Sequence, residues 1–199
     1  MSYIGTQPNN VKENIGLYTP NEILQLTKDG HWGGSLELIQ SQTVSGSATC
    51  NFTNIKGSQY DVHFMQFIGI ENGSDIYAEL RLSNDGGSSF ETSNYERAVQ
   101  YNGVNGTNGA SSSTSADRFT ILAHAYAGSS ISFYAYLYNL NNSSKYSFIN
   151  HQSPPSNTWS YFGGQIYTVA EKIDGIQLLN SAGTSFTAGT AKLYGVKQI

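Results

Sequence analysis

From Ser35 to the C-terminus, apolar side chains recur at every second position, and that rhythm limits the fold more than any other feature of the chain. Ile76, Ala78, Leu80 and Leu82 alternate with Tyr77, Glu79 and Arg81, the pattern of a strand with one buried face. Val62, Phe64, Ile68 and Ile70 are expected to share a face of a strand over 60–70. The same holds for Phe119, Ile121, Ala123 and Ala125, and for Ile131, Phe133, Ala135 and Leu137. Further strands are expected near 36–42, 47–53, 95–101, 145–150, 158–169, 173–179 and 190–197. Strands at this spacing, joined by Gly, Asn and Ser turns without helices between them, indicate a sandwich rather than a parallel sheet. The expectation is all-β: an antiparallel, jelly-roll-like β-sandwich. The stretch 103–116 is built of Gly, Asn, Ser and Thr without a charge. It reads as a long loop, because it has too little apolar surface to order itself.

Residues 1–34 follow a different pattern. Gln7-Pro8-Asn9-Asn10 reads as an extended tether. Thr19-Pro20-Asn21-Glu22 then precedes Ile23, Leu24 and Leu26. Thr19 caps a helix, Pro20 occupies the first helical position and Glu22 closes a capping box. Tyr18 and Ile23 have the spacing of a hydrophobic staple, and Gly30 and Gly33-Gly34 stop the helix after about two turns. So short a helix does not persist alone in water. The division expected is therefore 1–34 as a tether with a docking helix and 35–199 as the β-sandwich.

Composition excludes several functions. Only 12% of the residues are charged, about half the usual share, so solubility rests on Ser, Thr, Asn, Gln and Tyr. The formal net charge is −4 with ten Lys and Arg, which leaves no basic groove for nucleic acid. No apolar run approaches the ~20 residues of a membrane-spanning helix, and the N-terminus reads as no secretion signal. Cys50 is the single cysteine and is expected to be a small buried side chain. His31, His63, His124 and His151 stand at no metal-binding spacing. Asp61, Asp75, Glu79, Asp85, Glu91 and Glu96 are scattered rather than paired as acid–base catalysis requires. The expectation is no enzyme, no metal and no cofactor. Ser83-Asn84-Asp85-Gly86-Gly87-Ser88-Ser89-Phe90 is similar to the Asp-box of sialidase-type propellers, with Ser89 and Phe90 departing from it. It is read as a hairpin turn in which Asp85 bonds backbone N–H groups and glycine takes a positive φ.

One surface feature stands out. Tyr134, Tyr136 and Tyr138 alternate with Phe133, Ala135 and Leu137. A tyrosine row offers rigid amphipathic contact area, suited to a subunit interface or to stacking on sugar rings. Its other reading is a strand buried on both faces. Trp32 and Trp159 are candidates to join such a platform.

Met1-Ser-Tyr-Ile-Gly-Thr-Gln-Pro8, Gly33-Gly-Ser-Leu-Glu-Leu-Ile39, Asn51-Phe-Thr-Asn-Ile55, Tyr60-Asp-Val-His-Phe64, Ser83-Asn-Asp-Gly-Gly87 and Lys192-Leu-Tyr-Gly195 together resemble small virion structural proteins of tailed phages that infect marine cyanobacteria. The resemblance implies a non-enzymatic, jelly-roll-like appendage or decoration, often trimeric, displayed on tail or capsid and assembled in the host cytoplasm. It implies other virion proteins as partners; the tether and docking helix of residues 1–34, with Tyr3, Ile4, Pro8, Ile23 and Leu26, are read as the anchor on one of them. A host-surface glycan is the alternative partner, read from the aromatic residues.

Overall fold

A computed structural model describes residues 19–28, 35–155 and 158–197. The chain divides into two units, one ending at Ser35 and the other beginning at Leu36. In the first, helix α1 spans Pro20–Lys28. Its capping box is closed as expected: the Thr19 N–H donates to Glu22 Oε2 at 2.6 Å, and the Glu22 N–H donates to Thr19 Oγ1 at 3.3 Å. Tyr3, Ile4, Pro8, Tyr18 and Trp32 lie outside the described residues, as do the side chains of Ile23 and Leu26.

The second unit contains β1 (Leu36–Thr43), β2 (Thr49–Phe52), β3 (Val62–Asn72), β4 (Ile76–Ser83), β5 (Tyr95–Gly103) and β6 (Asn108–Ala116). It continues with β7 (Phe119–Ala125), β8 (Ser130–Tyr138), β9 (Ser147–Ser153), β10 (Trp159–Tyr167), β11 (Gly175–Asn180) and β12 (Phe186–Val196). Every pairing is antiparallel. One sheet has eight strands in the order β1-β12-β3-β8-β9-β10-β5-β6, and the other has four, β2-β11-β4-β7. A single buried cluster joins their inner faces: Met65, Phe67, Phe133, Ala135 and Leu193 from the larger sheet, with Phe52, Leu80, Leu82, Ile176 and Leu178 from the smaller. The fold is thus an all-β sandwich.

Three local expectations are corrected. Residues 108–116 form β6 rather than part of a loop. The partner strand β5 supplies the hydrogen bonds that the composition of β6 could not supply for itself. The Tyr101 ring lies over Gly109, where an added Cβ would fall 2.4 Å from it. In β3 the core face belongs to His63, Met65 and Phe67, while Val62, Phe64 and Ile68 point outward. Both faces of this strand are apolar, so alternation alone leaves the choice open. A bulge at Ile68-Gly69, with Gly69 at φ +59°, then turns Ile70 inward. In β7, Ile121 is not a core residue. It adopts φ +56° within an irregularity where Ala78 pairs Ala123 but Leu80 pairs Phe119, and Leu122 enters the core instead.

A positive φ is strained for a β-branched residue, and side chains from β9 and β10 hold it. The Thr120 N–H donates to Gln165 Oε1 at 3.0 Å, and Gln165 Nε2 donates to Thr120 O at 2.8 Å. His151 Nδ1 donates to Leu122 O at 3.1 Å, which leaves Nε2 to accept from Gln165 Nε2 at 3.4 Å. The peptide groups freed by the bulge are therefore satisfied between the sheets.

Candidate interaction surface

The register of the eight-stranded sheet shows what its outer face presents. Directly paired residues place Leu38, Tyr194, Phe64 and Tyr136 in one row across β1, β12, β3 and β8. The same row runs on through Asn150, Gly164, Ala98 and Ser112 of β9, β10, β5 and β6. Its first half is aromatic and aliphatic; its second half is small or polar. A neighbouring row passes through Leu36, Val196, Val62, Tyr138, Phe148 and Ile166 before reaching Glu96.

Phe64 is the centre of the aromatic half. Its ring centroid is 4.9 Å from Tyr136, 5.8 Å from Tyr194 and 6.0 Å from Tyr134, all within the range of favourable ring pairing. Tyr134 is exposed and donates its hydroxyl to Gln152 Oε1 at 2.7 Å, while Tyr136 and Tyr138 are half-buried. Leu36, Leu38 and Phe148 are also exposed, at 44, 52 and 41%. Contiguous apolar exposure of this kind marks interaction surfaces.

Trp159 does not belong to this face. It pairs with Gly103 and lies on the inward side, its ring edge-on to Tyr101 at 5.2 Å. Tyr101 in turn approaches Tyr161, and Tyr161 approaches Tyr77 and His124. This second aromatic group joins β5 and β10 of the larger sheet to β4 and β7 of the smaller. Sequence reasoning found the tyrosine row but not Phe64, Tyr194, Leu38 or Phe148. For Phe148 a signal existed: Phe148, Asn150 and Gln152 alternate with Ile149 and His151.

The titratable side chains elsewhere serve the fold. Asp85 accepts from the Ser89 N–H and hydroxyl and from the Ser83 hydroxyl, and these bonds hold its carboxyl down at about 2. With Gly86 and Gly87 at positive φ, 83–89 is the turn that its composition predicts. Burial raises the Glu79 carboxyl, opposed by its ion pair with Arg118. Arg118 and Arg81 also pair with Asp117. Burial pushes the Cys50 thiol up to about 11, the behaviour of a core side chain. His63 Nε2 donates to Ile55 O at 2.8 Å in the interior. Among the described residues no group of three or more His, Cys, Asp or Glu could hold a metal ion, and no helix is long and apolar enough to cross a membrane.

The site and fold define a β-sandwich with a broad aromatic sheet face. No family model, no curated protein and no solved structure matches the chain.

Proposed function

We propose that this protein is a non-enzymatic structural subunit of a bacteriophage virion, a surface appendage or decoration of tail-fibre or capsid type. It assembles with copies of itself, as a trimer in the favoured arrangement, through the aromatic half of the eight-stranded face. Residues 1–34 anchor it to a neighbouring virion protein. The observation that carries the reading is the row Leu38, Tyr194, Phe64 and Tyr136, left open on a sheet where one face already packs on the core. Four strands of about 30 Å, spaced ~4.8 Å apart, offer roughly 600 Å². Two such faces together reach the lower end of specific interfaces, about 1,200 Å².

The strand order supports a jelly-roll frame, a fold that capsid proteins use. In this reading β1-β12-β3-β8 faces β2-β11-β4-β7. The hairpin β5–β6 is an insertion between β4 and β7, and β9–β10 is a second between β8 and β11. Together the two insertions extend the first sheet by four strands.

The alternative reading has the exposed tyrosines stacking on a host-surface glycan, and one variant separates the two. Tyr136→Ala removes the ring packed on Phe64 at the middle of the row. An aromatic anchor at the centre of an interface is worth about 2 kcal/mol, roughly thirtyfold in association. Sedimentation of the variant is expected to show dissociation to folded monomers at concentrations where the parent remains assembled. Unchanged mass with lost cell binding would favour the glycan reading. Gold-labelled antibody on phage particles tests the location: label on tail or capsid supports a virion subunit, and bare particles with free protein in the lysate reject it.

A further inference from the structure

We propose that the second half of the same face, across β9, β10, β5 and β6, is a binding groove for a linear, uncharged oligosaccharide. The site adjoins the tyrosine row, whose Tyr138 lines it together with Ile166, and lies beside the assembly row Leu38, Tyr194, Phe64 and Tyr136. Its floor is Gly164 and Ala98, paired neighbours on β10 and β5, and their lack of bulk opens a depression of about 690 Å³. A second depression of about 380 Å³ shares Ala98 and Ser112 with the first, so the two form one groove along the strands. From β9 to β6 it spans three strand spacings, about 14 Å. The volume lies within the range of small-ligand sites.

The lining decides the ligand chemistry. Phe148 stands at one end, 41% exposed, and Phe162 at the other. Each offers an aromatic surface against which the C–H face of a pyranose packs. Between them the walls carry the Asn150 amide, the Glu96 carboxylate and the Ser112 and Thr114 hydroxyls. Amide, carboxylate and hydroxyl groups together accept from and donate to sugar hydroxyls. The cation in the groove's own lining is turned away: Arg97 points through to the inner side, where it donates to Ser111 and to Thr120 Oγ1 at 2.8 Å, and Lys145 stands beyond Phe148 in a neighbouring depression. A groove holding a carboxylate and no facing cation disfavours phosphate, sulfate and uronate. The remaining class that combines apolar ring faces with many hydroxyls is a neutral glycan.

Gly164 permits a direct test. A Cβ there would meet Asn150 Oδ1 at 3.1 Å, the movable end of a side chain, so Gly164→Leu is expected to fold while filling the floor. Hexaoses of glucose, in β-1,4 and α-1,4 linkage, and of N-acetylglucosamine serve as probes, with a galacturonate hexamer as the anionic control. Ligand-observed NMR on the full chain is expected to show binding of at least one neutral hexaose and none of the galacturonate. Phe148→Ala, Asn150→Ala and Gly164→Leu are each expected to weaken that binding by at least about tenfold. No binding of any neutral hexaose, preference for galacturonate, or full binding by Gly164→Leu would overturn the proposal. A change of oligomer mass in Gly164→Leu would also overturn it, by showing the groove to be a contact between copies. Tyr136→Ala is expected to retain hexaose binding, so failure of the assembly reading and failure of the groove are read separately.

Discussion

Phe67→Ala is expected to destabilise the sandwich by about 3–5 kcal/mol, the cost of removing a buried aromatic ring and leaving a cavity. Phe67 is wholly buried at the centre of β3 and lies flat against Phe133, with centroids 4.2 Å apart and planes 11° from parallel. Both rings come from adjacent strands of one sheet and face the smaller sheet, so collapse around the gap would require strands on both sides to move. Stabilities of single domains run to only about 5–15 kcal/mol, so the variant should unfold at a much lower urea concentration. Phe148→Ala is the matched comparison. It removes the same ring from the outer face and should stay within about 0.5 kcal/mol of the parent. Equal losses in the two variants would contradict the assignment of inner and outer faces.

Mild acid is expected to destabilise the fold through His151. Its imidazole is buried between the sheets, and desolvation pushes it down from 6.5 to about 4, opposed by its bond to Leu122 O. Above about pH 6.5 the ring is neutral in both folded and unfolded chains and adds no pH dependence. Between 6.5 and 4 the unfolded chain takes up a proton that the folded one excludes, so stability falls as pH falls. The loss is complete below about 4 and amounts to roughly 3–4 kcal/mol, at about 1.4 kcal/mol per pH unit. His63 and His124 are lowered by burial as well and act in the same direction. The lowered carboxyl of Asp85, held at about 2, loses its contribution only at more acid pH. Urea unfolding at pH 7.0, 5.5 and 4.5 measures the slope. His151→Asn retains an amide donor toward Leu122 O without a titrating ring, and its slope over this range should be shallower than the parent's. An identical slope would remove His151 from the account.

The bulge explains why that histidine is buried at all. Gln165 bonds both the N–H and the C=O of Thr120, and His151 bonds Leu122 O. These flank Ile121, the residue with the strained φ. Leaving a buried peptide group unpaired costs about 1–3 kcal/mol. Gln165→Leu, which frees two, should therefore be among the more damaging substitutions of a polar residue, as the same unfolding assay would show.

Much of the local structure is legible in the amino-acid sequence. Backbone pleat imposes a period of two on any half-buried strand, and that period located strands such as β4 and β8 closely. Side-chain chemistry acting over three or four residues was equally readable: the Thr19–Glu22 capping box and the Asp85 turn are both as the residues require. So was the outward row of Tyr134, Tyr136 and Tyr138, because β8 has one strictly apolar face. What local pattern could not decide was set by pairing between distant segments. β3 is apolar on both sides, and only its partners and the Gly69 bulge determine that Met65 and Phe67 face inward. β6 has no apolar stripe and is ordered because β5 supplies its hydrogen bonds. The face that joins Leu38 to Tyr194, Phe64 and Tyr136 draws on four strands far apart in the chain. The groove beside it exists because β5–β6 and β9–β10 lie next to one another. Periodicity is a property of each strand alone, whereas register and strand order follow from long-range pairing, and they decided which side chains share a surface.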